Sequence, residues 1–334
     1  MKFDDILQSI KPTPAEAKRV TANITTFLTA LNKKLKPLKA KALLGGSFAK
    51  DTWLDGDYDV DVFVCFDISQ KNKDLSALLE KALKSWKPER VHGSRDYFWV
   101  TNDVRYEIIP VLAIKKAADA QNVTDFSPLH VTWAAKRLKT LKDDVRLAKQ
   151  WTKAQRVYGA ESYIRGFSGH VLDILIIHCG GFQKFIRWGA KLKAKTVVDV
   201  NNAHKGKALL VLNASKTTGP LVVVDPVQPQ RNAAASMSPE RYNRFITAAQ
   251  RFLKKPTADA FSEAAPNFDS LARQGTLVKI AVKTLPEKED VAGTKMVRAY
   301  DYLRDQLAPF GVLQSEWEWD KKKTALLWFL LKEE

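Results

Sequence analysis

Two cysteines stand in 334 residues, Cys65 and Cys179, far apart and each inside an apolar stretch. That scarcity argues against a disulfide framework and a thiolate zinc site, and both are expected as buried thiols. No run approaches the roughly 20 apolar residues that a membrane span needs. The N-terminus, MKFDDILQSIKP, carries acidic residues where a signal peptide has a basic flank and an apolar core. The expectation is a cytoplasmic chain with no membrane partner. No internal repeat or low-complexity tract is evident. Acidic residues are also in short supply: 37 Asp+Glu stand against 54 Lys+Arg, a formal net charge of +17.

Such an excess favours a polyanionic partner, because lysines and arginines release its condensed counterions, and nucleic acid is the leading candidate. The charge is uneven. From Trp133 to Lys195 there are 14 Lys+Arg and 4 Asp+Glu, a local excess of +10. A solvated basic face with no dedicated partner is the plain alternative. Apolar residues make up 45% of the chain, enough to fill the cores of two or three domains.

Periodicity divides the chain. Thr13-Pro14-Ala15-Glu16 is a capping box, and Val20, Ile24, Phe27, Leu31 and Leu35 follow at helical spacing, so a long amphipathic helix opens the chain. Strands are expected at 42–44 and 60–66, a helix at 75–86, and a hairpin at 97–100 and 104–109, closed by Pro110. A helix is expected from Ala134 to a stop at Gly159, and another at 168–178. Short β-rich runs follow at 196–200, 209–212 and 221–224, then a helix from Ser238 that Pro256 ends. A strand (277–282), a helix (294–308) and a hairpin (312–319, 324–331) complete the chain. Trp317 and Trp319, two apart on one strand face, are expected in a core rather than stacking on bases. The expected domains are 1–140, 141–260 and 261–334, with the stretch near 256–267 as linker.

The chemistry concentrates in Gly46-Ser47-Phe48-Ala49-Lys50-Asp51-Thr52-Trp53-Leu54-Asp55-Gly56-Asp57-Tyr58-Asp59-Val60-Asp61. Glycine lets a backbone approach a phosphate closely, and Ser47 can donate to its oxygens. Alternation along a strand puts Asp59 and Asp61 on one face, where two carboxylates can hold a divalent metal. Glu107, an acid inside the apolar strand Val104-Arg105-Tyr106-Glu107-Ile108-Ile109, implies a cationic partner, since burying an unpaired charge is costly. Three carboxylates with Mg2+ suit a two-metal in-line displacement.

GGSFAKDTWLDGDYDVDVFV, VRYEIIPVL, VYGAESYIRGFSGHVLDILIIHCGGF and DPVQPQRNAAASMS together resemble the archaeal (class I) CCA-adding enzymes, tRNA nucleotidyltransferases of the DNA polymerase β-like superfamily. The resemblance implies an α+β fold with a nucleotidyltransferase catalytic head, a mainly helical, basic central domain for base selection and acceptor binding, and a shortened C-terminal α+β module. It implies the tRNA acceptor end, CTP and ATP as partners, and a homodimer is possible. Asp59, Asp61 and Glu107 become catalytic metal ligands, and Gly46, Ser47 and Lys50 triphosphate contacts. His130, Lys149 and Tyr158 line the nucleotide site, and Arg231 selects the base. Lys136, Lys139, Lys142 and Arg165 are the expected RNA contacts. His130 could otherwise be a helix-start hydrogen-bonder, Tyr158 a packing residue, Lys149 a surface lysine, and Arg165 a loop tie. The family often has Glu at the first carboxylate and Asp at the third, and usually continues past a hairpin like 312–331. The implied consequence is a chain ending at Glu334 that grips chiefly the acceptor end. Rival readings are an oligoadenylate or cyclic-dinucleotide synthase, and a non-catalytic RNA-binding relative.

Overall fold

A computed structural model describes residues 2–332. The outermost positions of the expected segments 1–140 and 261–334, Glu334 among them, therefore lie outside the described residues. The chain forms two compact units. One takes in the chain up to Tyr158 together with Phe167–Ser262; the other takes in Gly159–Gly166 and the chain from Glu263 onward.

The first unit begins with α1 (Asp4–Ile10) and α2 (Pro14–Leu35). Thr13 accepts the Glu16 N–H and Pro14 takes the first helical position, as the capping box predicts. Val20, Ile24, Phe27, Leu31 and Leu35 are buried on one side of α2, each such side chain contributing about 1.5–3 kcal/mol of burial. Then come β1 (Ala40–Leu44), the short α3 (Gly46–Lys50), β2 (Asp59–Phe66), α4 (Leu75–Leu83), β3 (Glu89–Val91), β4 (Tyr97–Thr101) and β5 (Arg105–Leu112). The sheet order is β1-β2-β5-β4-β3, with β2 and β5 parallel and the other pairs antiparallel. One face, carrying Val60, Val62, Val64, Tyr106 and Ile108, joins α2 and α4 in a single apolar core. Period-two alternation sends Asp59, Asp61 and Glu107 to the opposite face.

The rest of this unit is α5 (Ser127–Arg137), α6 (Lys142–Ala154), α7 (Gly169–Cys179), α8 (Phe182–Gly189), β6 (Thr196–Val198), α9 (Ala208–Val211), β7 (Leu221–Val223) and α10 (Pro239–Lys254). Its core is aromatic. Trp151, fully buried, meets Phe182, Phe245 and Phe252 edge-on.

The second unit holds α11 (Phe268–Ala272), β8 (Thr276–Lys283), α12 (Glu289–Leu307), β9 (Val312–Trp319) and β10 (Thr324–Leu331), with the antiparallel order β8-β10-β9. From Ala325 onward the central strand β10 is apolar because both its faces are covered. Leu327 and Phe329 pack toward Met296 and Tyr300, while Trp328 and Leu330 pack with Leu271. At the turn, Asp320 accepts three backbone N–H groups from Lys322, Lys323 and Thr324. Trp317 and Trp319 pack against this core, edge-on to Tyr163.

Several elements differ from expectation. The 134–159 helix is two helices: Asp143 and Asp144 sit in the first turn of α6, where acidic side chains favour a new N-terminus. It ends at Ala154, before Gly159, with Arg156 in the left-handed region. The 209–212 run is helical, burying Ala208 and Leu212 one turn apart. Pro110 does not close its strand. β5 runs on to Leu112, and Pro110 lies beyond the stretch 105–108 that β4 pairs, so its missing N–H leaves no β4 partner unsatisfied. Helices α1 and α8 add to the expected segments.

Candidate active site

The β2/β5 register sets Asp59 opposite Arg105 and Asp61 opposite Glu107. Glu107 is also opposite Trp99 on β4 and accepts its Nε1–H at 3.2 Å. Asp59 is exposed and held by Arg105 at 2.8 and 2.9 Å. Among the described residues no donor reaches the Asp61 carboxylate. Burial, and then Glu107 beside it, push the Asp61 carboxyl up to about 6. Burial likewise raises Glu107. Two half-buried acids opposite one another, both held above their ordinary values and Asp61 with open lone pairs, are a donor set that fits a hard divalent cation.

Gly46 is required twice over. Its φ is +53°, and a Cβ there would overlap Asp61 Oδ2. The glycine turn thus lets the backbone close against the carboxylate, with Ser47 following it, half-buried.

Lys50 departs from expectation as a triphosphate contact. Its buried ammonium pairs with Asp173 on α7, itself wholly buried. Burial of both groups demands that pairing. Lys149 is not a surface lysine: it is 4% exposed and donates to the Thr52 carbonyl at 3.0 Å. Burial, with Lys50 nearby, brings its ammonium down to about 8. Both lysines still lower the Asp61 carboxyl by their charge. Tyr158 is half-buried under the Lys153 ammonium, 5.4 Å from its ring centre, and Lys153 pairs with Asp57.

His130 and Arg231 converge on Asp225, which the sequence reading passed over although it opens the block Asp225-Pro226-Val227. His130 Nε2 lies 2.9 Å from Oδ1, and Arg231 Nη1 lies 2.8 Å from Oδ2. His170 Nε2 is 3.7 Å from Oδ2. Burial alone would raise this carboxyl, but the facing imidazoles carry it far below the usual carboxylate range. Burial lowers His130 against the pull of Asp225. His130, His170 and Asp225 offer three donor atoms within 4.8 Å of one another, a spacing open to a cation. Arg231 already supplies positive charge there.

The basic segment is not one face. Lys136 and Lys139 are exposed, Lys142 pairs with Asp51 at 2.9 Å, and Arg146 is buried, bound to the Trp53 carbonyl, Asp51 and Asp143. Arg165 is exposed with φ +60° and belongs to the second compact unit.

Fold and carboxylate face together define a nucleotidyltransferase of the DNA polymerase β-like kind. A family model for the nucleotidyltransferase domain matches residues 24–117, and one for the second domain of tRNA nucleotidyltransferases matches residues 143–262. The chain is 32% identical over 290 residues to the CCA-adding enzyme of Nanoarchaeum equitans, covering 85% of this chain and 71% of that protein. To the CCA-adding enzyme of Pyrococcus abyssi it is 30% identical over 293 residues, covering 83% and 65%. The chain thus spans about two thirds of the length of these relatives. In fold it resembles a solved cytoplasmic RNA terminal U-transferase, with TM-score 0.60 at 16% identity over 78% of this chain and 97% of that one. No helix among the described residues is long and apolar enough to cross a membrane. The chain belongs to the family of CCA-adding enzymes.

Proposed function

We propose that this chain adds C, C and A in turn to the 3′ end of tRNA, using CTP and ATP without a template and acting in the cytoplasm. The observation that carries the reading is the placement of Asp59, Asp61 and Glu107 on one face of two adjacent parallel strands, in a chain of this family. These three carboxylates would hold Mg2+, which when bound activates the attacking hydroxyl and offsets charge on the leaving pyrophosphate. Trp99 orients Glu107, and Gly46 brings the Ser47 turn against Asp61, where Ser47 would donate to a phosphate oxygen. Lys149 would lend positive charge at the rim of the site, with His130, Tyr158 and Arg231 lining the nucleotide. Lys50 contributes by fixing α3 against α7 through Asp173 rather than by touching phosphate. Lys136 and Lys139 would meet the RNA backbone; Lys142 and Arg165 would add to that contact, Lys142 at the expense of its exposed pair with Asp51. The division into head (1–140), central domain (141–260) and C-terminal module (261–334) follows the same reading, and a homodimer is compatible with it.

The test supplies tRNAs ending before CCA, after C and after CC, each with one nucleotide at a time and with CTP plus ATP. The expected product is a three-nucleotide extension, with GTP and UTP used poorly. Comparable use of all four nucleotides, or long adenylate tracts, would refute the proposal.

A further inference from the structure

Asp225 is wholly buried, and its carboxylate is enclosed by donors. Oδ1 accepts from His130 Nε2 at 2.9 Å and from the backbone N–H groups of Val227 and Gln228 at 2.9 and 3.0 Å. Oδ2 accepts from Arg231 Nη1 at 2.8 Å, with His170 Nε2 at 3.7 Å. The Asp225 N–H also donates to the Arg231 carbonyl at 3.0 Å, so the 225–231 loop is closed by backbone and side chain alike. The side-chain donors come from separate places: α5 for His130, α7 for His170, and the loop itself for Arg231.

A carboxylate can only accept. His130 must therefore turn an Nε2–H toward it, which in the neutral imidazole leaves the lone pair on Nδ1. Arg231 commits a donor on Nη1, while its side chain is 38% exposed and its planar fork carries further donors for a ligand. Each residue is thereby restricted to one presentation, Arg231 as donor and His130 as acceptor.

We infer that Asp225 is a positioning residue for nucleotide choice, one that holds Arg231 and His130 in a fixed donor and acceptor arrangement without itself touching the nucleotide. The inference rests on the CCA-adding reading, in which those two residues line the nucleotide site. A buried carboxylate that merely tied a loop would affect stability and leave discrimination between bases untouched.

Asp225→Asn keeps the shape but must direct an amide donor at one of the existing donors. The kcat/KM preference for CTP over UTP on tail-less tRNA should fall roughly tenfold or more, as expected when a charge-assisted hydrogen bond is lost. The loss should fall more on KM than on kcat. Arg231→Lys should produce a similar loss, and the double variant should be no worse than the poorer single one, since both break one unit. Unchanged discrimination in folded Asp225→Asn, or single effects that multiply in the double variant, would overturn the inference. A measurement on the unaltered protein guards against a variant that fails to fold. Imidazole 15N shifts should place the His130 proton on Nε2, and an Nδ1–H tautomer would overturn the arrangement. Should the unaltered protein add neither C nor A, the functional reading fails, while the tautomer still tests the clamp.

Discussion

Replacing Asp61 by asparagine should make the metal-free protein more stable while removing its activity. Burial and the neighbouring Glu107 raise the Asp61 carboxyl from 3.8 to about 6. At about 1.4 kcal/mol per pH unit, the ionised group costs the fold about 3 kcal/mol, somewhat less where solvent reaches it. The folded chain binds this proton more tightly than the unfolded chain does. Below about pH 4 the group is protonated in both states and costs nothing; the cost grows as pH rises toward 6 and is complete above it. Asparagine never ionises, so its advantage should be absent in acid and full at neutral pH. For a unit of this size the gain corresponds to a rise in Tm on the order of 5–10 °C. Thermal unfolding followed by circular dichroism, with a chelator present, reads it directly. Added magnesium should then raise the Tm of the unaltered protein and leave Asp61→Asn where it was, because a ligand stabilises only the state that binds it. Equal or lower stability of Asp61→Asn at neutral pH without metal would refute the view that these carboxylates are held together awaiting a cation.

Asp59→Ala and Glu107→Ala should each lower turnover by roughly a hundredfold or more with the fold intact, measured by single-nucleotide extension, since each removes charge placed for the transition state. Near-normal turnover in a folded variant would mean that carboxylate has been misassigned. Gly46→Ala should be as damaging although it replaces no titrating group, because its Cβ would displace Asp61 and its φ is left-handed; an active variant would show that the turn can relax. Neutralising Lys136 and Lys139 together should weaken tRNA binding and reduce the slope of log K against log salt by roughly 0.9 or less per lysine. An unchanged slope would make the pair a solvated surface.

The sequence by itself determined those features whose physics is local. The cap at Thr13 and the spacing of Val20 to Leu35 fixed the first long helix, because propensity and one apolar stripe act within a few turns. Alternation along 59–66 was enough to put Asp59 and Asp61 on one face, since strand period is a backbone property. Local reading failed where two periods fit equally well, as at 209–212, and where a helix had to break between Arg137 and Lys142. Partnership was a matter for the tertiary structure alone. Glu107 meets Asp61 only through the parallel register of β2 and β5. Lys50 finds Asp173 across 123 residues, and His130 finds Asp225 across 95. A buried charge must have a counterpart, and that demand is written in the residue type. Which counterpart it meets depends on packing between distant segments, where one residue of register decides whether a lysine faces a phosphate or an aspartate.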